Sequence, residues 1–173
     1  MLPKIQNVIS TADLHQHIDA RKLNQYQWGK YDTEIYGGKC GYIKDEGMQG
    51  RVSVFISGKM ISTGAKSVSQ SIGQLEHAMD LLVKNRLVCR VNLECKVQNI
   101  VATLDLQRRL DVKKVLRSLA NYIYEPDNFP GIIYKSNRGT SCLIFTTGKI
   151  VIAGAKSENQ LNDTVKEINK IVE

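Results

Sequence analysis

The pattern of apolar and polar residues along this chain is written twice. Residues 52–66 read VSVFISGKMISTGAK and residues 142–156 read CLIFTTGKIVIAGAK, so that Phe55 matches Phe145. In both copies a strand-like run ends in a Gly-Lys turn and a second run follows it, which predicts a β-hairpin. The chain therefore contains two versions of one hairpin.

The self-similarity extends beyond the hairpin. Residues 5–14, IQNVISTADL, match residues 97–106, VQNIVATLDL. Similarity over this length predicts one folding unit used twice. We place the repeats at 1–92 and 93–173. Because neither a Pro/Gly cluster nor a charge block lies between them, we expect the repeats to be fused as one body.

Each half opens on a predicted strand, because polar and apolar residues alternate with a period of two in residues 97–106. Similar signals predict three more strands per half, at 41–44, 51–56 and 59–64 in the first and at 131–135, 140–145 and 150–154 in the second. We assign a fifth strand to the stretch 87–95 or its equivalent.

Two helices are predicted in each half. Asp111 can cap a short helix whose apolar residues recur at helical spacing, and its counterpart at 20–27 is less regular. Capping boxes at Ser67–Gln70 and Ser157–Gln160 announce a long helix in each half. Four helices are enough to cover one face of the predicted sheets and leave the other face uncovered.

The uncovered face is expected to be partly apolar, since both alternating sets of residues 142–145 are apolar, whereas Phe55 in the first copy has serine neighbours. An antiparallel sheet with such a face either is sandwiched or presents a surface to a ligand. Apolar side chains, amides, hydroxyls and a lysine border fit a DNA minor groove. The residues expected on or around this face are Asn7, Ile9, Thr11, Ser53, Phe55, Ile61, Thr63, Asn99, Val101, Thr103, Leu143, Phe145 and Val151, bordered by Lys59, Lys66, Lys149 and Lys156.

The charge agrees with a polyanionic partner: 24 basic and 17 acidic residues give a net charge of +7. No run of about 18 apolar residues predicts a membrane span, and no signal pattern is seen at the N-terminus. We therefore expect an intracellular protein, in the nucleus if eukaryotic or viral and in the cytoplasm or nucleoid if archaeal. The four cysteines lack metal-ligand spacing, so we expect no cofactor.

Other interpretations of these residues stay open at this stage. Phe55 or Phe145 alone would more often be a core residue, and Asn7 and Asn99 could each hydrogen-bond a β-bulge. The Gly58–Ser67 stretch resembles a phosphate loop, but five residues rather than four separate its glycines and an alanine precedes the lysine. No catalytic constellation is recognisable, so we expect a protein that is not an enzyme.

Together the motifs resemble those of the TATA-box-binding protein family. They are QN-x-x-x-T and GAKS in both halves, with LIF-x-x-GK and YEPDNFPGIIY in the second half. The resemblance implies an α+β fold, a duplicated saddle of ten antiparallel strands with four helices on the convex face. It also implies a general transcription initiation factor that binds and bends A/T-rich TATA-box promoter DNA through the minor groove as a monomer. Its further partners would be a transcription factor IIB-type protein and the RNA polymerase initiation complex.

The resemblance also assigns roles to individual positions. Phe55, Phe129 and Phe145 match kinking phenylalanines, and Asn7 and Asn99 match central asparagines. Groove-floor contacts correspond to Ile9, Ile61, Val101, Leu143 and Val151, with Ser53 in the place of a leucine and Thr63 in that of a central threonine. Lysines at phosphate-contacting positions are Lys59, Lys66, Lys135, Lys149 and Lys156, and Glu125 and Asp127 lie in the loop that meets transcription factor IIB.

Three positions depart from the family pattern. Ala153 replaces a second threonine, Ser53 replaces a leucine, and the first half lacks a clean partner for Phe129. The run from Tyr31 to Gly41 is about three residues longer than its counterpart, and either Tyr36 or Lys39 takes the phenylalanine's place. These departures support an alternative function, an interaction factor of the same fold with weakened or lost TATA selectivity.

Overall fold

The computed structural model describes residues 2–172 and divides into two compact units. The N-terminal unit is Asn7–Gln98, and the C-terminal unit combines Met1–Gln6 with Asn99–Glu173.

The N-terminal unit is an antiparallel sheet with its long helix packed on one face. Its strands are β1 (Lys4–Asp13, which begins in the C-terminal unit), β2 (Gly29–Tyr31), β3 (Cys40–Ile43), β4 (Arg51–Phe55) and β5 (Lys59–Ala65), in the order β2-β3-β4-β5-β1. The helices are α1 (Val68–Lys84) and two short 3-10 helices, Ala20–Gln25 and Ile35–Gly38.

The C-terminal unit repeats this arrangement. Its strands are β6 (Lys96–Asp105), β7 (Tyr122–Ile123), β8 (Gly131–Lys135), β9 (Ser141–Phe145) and β10 (Lys149–Ala155), in the order β6-β10-β9-β8-β7. Its helices are α2 (Val112–Arg117) and α3 (Glu158–Val172). The duplicated α+β class is therefore confirmed.

The fifth strand of each half lies elsewhere than predicted. It is β2 or β7, directly before the loop that leads to β3 or β8, and residues 87–95 contain no strand. In that stretch the side-chain amide of Gln16 pairs with the backbone of Cys89, donating to its carbonyl at 2.8 Å and accepting from its N–H at 2.8 Å. A side chain thus satisfies backbone groups that a sheet would otherwise pair. The irregular helix predicted at 20–27 is a 3-10 helix.

Both long helices begin as their capping boxes predict. The hydroxyls of Ser67 and Ser157 accept from the N–H groups of Gln70 and Gln160 at 3.1 Å. The side-chain carbonyl of each glutamine accepts from the backbone N–H of the lysine that precedes the serine, at 3.0 Å for Lys66 and 2.7 Å for Lys156. The sequence places apolar residues at helical spacing in both helices, Ile72, Leu75, Met79 and Leu82 in α1 and Leu161, Val165, Ile168 and Val172 in α3. All of them are buried except Ile72, which is partly exposed.

The two cores place their buried polar side chains differently. In the N-terminal unit the buried hydroxyl of Ser71 on α1 donates to that of Ser10 at 2.8 Å, and the buried Gln74 amide donates to that of Ser62 at 2.8 Å. In the C-terminal unit the corresponding strand positions are the buried residues Ala102 and Ile152. The N-terminal core thus has a hydrogen-bonded cluster at strand positions that are aliphatic in the C-terminal core, whose own buried hydrogen bond joins the hydroxyls of Thr140 and Thr164 at 2.9 Å.

A single carboxylate joins α3 to the β8–β9 hairpin. Glu167 accepts hydrogen bonds from the Tyr134 hydroxyl, from the Ser136 hydroxyl at 2.9 Å and from the Asn137 N–H at 3.1 Å. Burial acts to raise the pKa of Glu167, but these hydrogen bonds outweigh it and hold the pKa below its ordinary value. Burial together with the bond to Glu167 raises the pKa of Tyr134, which therefore stays a donor.

We expect Glu167→Gln to lower the free energy of unfolding at neutral pH by about 1–3 kcal/mol, because hydrogen bonds to a charged acceptor are lost. Since the folded-state pKa of Glu167 is depressed, its contribution is present above the ordinary value of 4.5 and is lost as the pH falls below it. Urea unfolding at pH 7 and at an acidic pH would show a gap between wild type and variant that narrows in acid. Glu158→Gln, at an exposed position in the same helix, is the matched control, and a gap independent of pH would contradict the assignment.

Candidate nucleic-acid interface

Each sheet has one face turned away from its helices, which we call the open face. In the N-terminal unit Thr11, Ile61, Ser53 and Tyr42 lie side by side in register across four strands of this face. All four side chains are partly exposed, whereas their neighbours along each strand point into the core and are buried. The predicted alternation of faces is therefore present in the N-terminal unit.

The open face of the C-terminal unit has the same plan with different side chains. Thr103, Val151, Leu143 and Ile133 lie in register across β6, β10, β9 and β8. Ile133 is 37% exposed, and Ile123, its partner on β7, is 57% exposed. This face is consequently more apolar toward its outer strands than the equivalent face of the N-terminal unit.

A concavity lies on each open face, bounded by a phenylalanine and a lysine. The N-terminal one has a volume of about 570 Å³ and is lined in part by Phe55, Ile61 and Lys59. The C-terminal one has a volume of about 750 Å³ and is lined in part by Phe145, Val151 and Lys149. Each unit thus has a largely apolar depression whose lining includes lysines and also carboxylates, Asp13 and Glu94 in the first and Asp105 in the second.

The asparagines that open each repeat hold a β-bulge. Asn7 Oδ1 accepts from the N–H of Gly64 at 2.8 Å, and Asn99 Oδ1 accepts from the N–H of Gly154 at 2.8 Å. Both glycines have φ near +90° (+87° and +95°) and lie where the register of the adjacent strand pair shifts. The bulge interpretation of the two asparagines is therefore correct. It uses the amide oxygen only and leaves the Nδ2 group as a donor.

The threonines of the two first strands are oriented by glutamines. Gln98 Nε2 donates to Thr11 Oγ1 at 2.8 Å, and Gln6 Nε2 donates to Thr103 Oγ1 at 2.9 Å. A hydroxyl oxygen that accepts in this way keeps its O–H as a donor. The polar groups on the open faces are thus arranged to donate hydrogen bonds outward.

An aromatic pair lies at the outer end of each open face. Phe129 and Phe145 meet edge to face with ring centroids 5.8 Å apart, and Tyr36 and Phe55 do so at 6.0 Å. The two candidates for the missing first-half phenylalanine are thereby distinguished. Tyr36 takes the place beside Phe55, whereas the Lys39 backbone carbonyl accepts from the N–H of Ile56 at 3.0 Å.

The residue that lies beneath the aromatic pair differs between the two units. Gly131 lies opposite Phe145 and Cys40 lies opposite Phe55, so Cys40 rather than Gly41 is the register equivalent of Gly131. A Cβ on Gly131 would come within 2.8 Å of Phe129 and 3.1 Å of Phe145, which shows how closely these rings lie on the backbone. The Cys40 side chain is fully buried, and burial raises the pKa of its thiol, so it acts there as a small apolar group.

Because Cys40 has a side chain where Gly131 has none, the first loop approaches Phe55 differently. Tyr36 adopts the left-handed backbone region, with φ 51° and ψ 31°. Although its ring packs against Phe55, the residue is 68% exposed. A left-handed tyrosine costs on the order of 1–3 kcal/mol. The first-half aromatic is thus more exposed and more strained than Phe129, which is only partly exposed.

The predicted cationic residues lie at strand ends. Lys59 and Lys149 start β5 and β10, Lys66 and Lys156 follow the same strands, and all four are exposed. Lys135 ends β8 and its Nζ donates to Ser141 Oγ at 3.4 Å.

The sequence model of the family described as "Transcription factor TFIID (or TATA-binding protein, TBP)" matches residues 2–85 and 94–173. The chain belongs to this family. Two matched segments correspond to the two repeats seen in the sequence, and a transcription-factor family agrees with the expectation that the protein is not an enzyme.

Archaeal relatives of the family cover most of the chain. The "TATA-box-binding protein" of Cenarchaeum symbiosum is 47% identical over 159 residues, which are 92% of this chain and 87% of the relative. That of Aeropyrum pernix is 33% identical over 167 residues, which are 95% and 81%. The solved structure titled "Methanococcus jannaschii TBP" matches with a TM-score of 0.85 at 28% identity, covering 99% of this chain and 98% of the other. The fold implied by the sequence resemblance is confirmed.

Three open-face residues, Lys44, Tyr42 and Ile133, are not predicted by the sequence motifs. Lys44 follows β3 as Lys135 ends β8, and its N–H donates to the Trp28 carbonyl much as that of Lys135 does to the Asn121 carbonyl. Tyr42 and Ile133 share a register position that the hairpin motif does not reach. Correct pairing of β3 with β4 would have identified Tyr42, but the longer first loop concealed that register, and pairing of β8 with β9 would have identified Ile133.

The loop between β7 and β8 carries the residues assigned to a protein partner. Glu125 and Asp127 are exposed, and the Glu125 carbonyl accepts from the N–H groups of Asn128 and Phe129 at 3.0 Å and 2.9 Å. The turn that presents the carboxylates therefore also positions Phe129.

No helix within residues 2–172 is both long and apolar enough to span a membrane.

Proposed function

We propose that this protein is a general transcription initiation factor that binds A/T-rich promoter DNA in the minor groove and bends it. The observation that carries the proposal is the matched pair of asparagines, each fixed by a bulged glycine so that its Nδ2 is left to donate. Family membership and the names of the archaeal relatives support it.

The chemistry of the groove explains a preference for A·T pairs. In the minor groove A·T and T·A present only the acceptors A N3 and T O2, and G·C adds the N2 amino donor of guanine. Asparagine Nδ2 groups can only donate, so they complement these acceptors and face a second donor where a guanine amino group is present. The threonine hydroxyls, whose oxygens already accept from glutamine amides, have their O–H groups left to donate to the same acceptors. Half of this donor set, Asn7 and Thr11, lies on the N-terminal open face, and Asn99 and Thr103 lie on the other.

Bending would follow from the aromatic pairs. An apolar ring inserted at a base step partly unstacks it and kinks the duplex, at a cost of a few kcal/mol per step that wider contact offsets. We assign this role to Phe129 and Phe145, and to Phe55 with Tyr36. Groove-floor contacts fall to Ile9, Ser53, Ile61, Thr63, Val101, Leu143 and Val151, and phosphate contacts to Lys59, Lys66, Lys135, Lys149 and Lys156.

A protein partner completes the proposal. Glu125 and Asp127 on the exposed β7–β8 loop would contact a transcription factor IIB-type protein, which leads to recruitment of RNA polymerase. The second candidate, an interaction factor with weakened TATA selectivity, is favoured by Ser53 and Ala153, which make the floor smaller than in the family pattern, and by the exposed Tyr36.

The test is a gel shift with a TATA duplex and with a duplex of equal length in which every A·T pair is replaced by G·C. We expect at least tenfold preference for the TATA duplex, and a further shift when a transcription factor IIB-type protein is added to a duplex that carries its upstream element. Equal affinity for the two duplexes would reject TATA binding. Equal affinity together with retained binding of the partner protein would favour the interaction factor.

A further inference from the structure

The outer strands of the two open faces carry different chemistry. In the C-terminal unit Leu143, Ile133 and Ile123 lie in register and are all aliphatic. The same three positions in the N-terminal unit are Ser53, Tyr42 and Lys30. Two residues before Ser53 on the same strand, Arg51 lies opposite Thr63. The equivalent pair in the C-terminal unit is Ser141 opposite Ala153.

Arg51 is held over a neighbouring ring on this face. Its guanidinium carbon lies 4.5 Å from the centroid of the Tyr42 ring, within the range of a cation–π contact. The guanidinium carries five N–H donors, and contact with a ring face restrains it without using them. Arg51 is exposed, so these donors are presented outward beside Thr63.

The place of Arg51 differs from that of the lysines. Lys59 and Lys66 stand at the two ends of β5, where cations would meet the phosphates that border a bound groove. Arg51 also begins its strand, β4, but it lies opposite Thr63 and its side chain lies over the Tyr42 ring of the open face. A guanidinium held over the open face can donate to the minor-groove acceptors A N3 and T O2.

We propose that Arg51, positioned by Tyr42, is a specificity-determining residue that reads A·T pairs in the half of the site contacted by the N-terminal unit. This inference rests on the proposed function, since it requires minor-groove binding. The N-terminal unit thus compensates for its smaller, more polar floor with a cationic donor, and the C-terminal unit relies on apolar contact. The two halves of the binding site would then differ in base preference.

The experiment compares wild type, Arg51→Ala and Arg51→Lys on a set of TATA duplexes in which single A·T pairs are replaced in turn by G·C or by inosine·C. Inosine lacks the N2 amino group, so its pair resembles A·T in the minor groove. At one or two adjacent positions we expect wild type to bind the inosine·C duplex about as tightly as the A·T duplex. At the same positions its affinity for the G·C duplex should be lower by roughly five- to 150-fold. Arg51→Ala should remove most of that discrimination at those positions and leave it unchanged elsewhere. Arg51→Lys should keep the salt dependence of binding but not the discrimination.

Two further variants make the test specific. Arg117→Ala removes an equal charge from an exposed position on α2 and should leave base preference unchanged. Tyr42→Leu should reproduce the Arg51→Ala profile in part, because the guanidinium loses its support. Thermal unfolding establishes that each variant is folded. If Arg51→Ala weakens all duplexes equally or none of them, the inference is wrong, whereas failure of wild type to prefer TATA over G·C DNA would instead reject the proposed function.

Discussion

Phe145→Ala is expected to remove most of the DNA bend. The Phe145 ring is partly exposed and packs edge to face on Phe129, so its loss removes one wedge and the support of the other. Since kinking a base step depends on the inserted ring, the bend angle should fall toward that of free DNA. Energy transfer between dyes at the two ends of a TATA duplex measures this change.

Two variants control this experiment. Phe145→Leu keeps apolar volume without the flat ring and should restore part of the bend. Phe55→Ala removes the matching ring of the N-terminal unit and should reduce the bend less, because its partner Tyr36 is already 68% exposed. An unchanged bend in Phe145→Ala, with binding retained, would contradict the wedge assignment.

Asn99→Asp should weaken TATA binding by about a hundredfold without unfolding the protein. The aspartate keeps an oxygen for the N–H of Gly154, so the bulge stays paired. The outward-facing donor, however, becomes a negatively charged oxygen opposite base acceptors, and such juxtaposition costs on the order of 3 kcal/mol, with 1.4 kcal/mol for each tenfold. Fluorescence anisotropy on a labelled duplex gives the affinity, and urea unfolding gives the stability.

The matched control for charge is Asn162→Asp, at an exposed position on α3, which should change affinity by less than about threefold. Asn99→Ala loses both the bulge hydrogen bond and the donor, so it should also reduce stability by about 1 kcal/mol. Comparison of Asn99→Ala with Asn99→Asp separates the two functions of the side chain. Wild-type affinity in Asn99→Asp would show that Asn99 only holds the bulge.

Local patterns in the sequence were sufficient for most of the fold. Alternation fixed the faces of β6, and the capping boxes at Ser67 and Ser157 located the starts of α1 and α3 to the residue. These features depend on neighbours within four residues, so they can be recognised without tertiary information. The asparagines were identified by their repetition, although the alternative between bulge and donor needed coordinates.

The failures came from contacts between distant residues. Residues 87–95 alternate as a strand would, but Gln16, far away in sequence, pairs with the Cys89 backbone in place of a neighbouring strand. The register of β3 was concealed by a loop whose length differs from its counterpart. Without that register, Cys40 could not be matched with Gly131, and Arg51 could not be placed beside Tyr42.

The residue at position 131 governs how closely an aromatic pair can approach the strand beneath it. A Cβ at Gly131 would come within 2.8 Å of the Phe129 ring, so any side chain there would force that ring to shift. In the N-terminal unit Cys40 occupies the equivalent position, and the Tyr36 ring that pairs with Phe55 is 68% exposed. A single strand position in each repeat thus governs the depth to which its outer aromatic ring is buried.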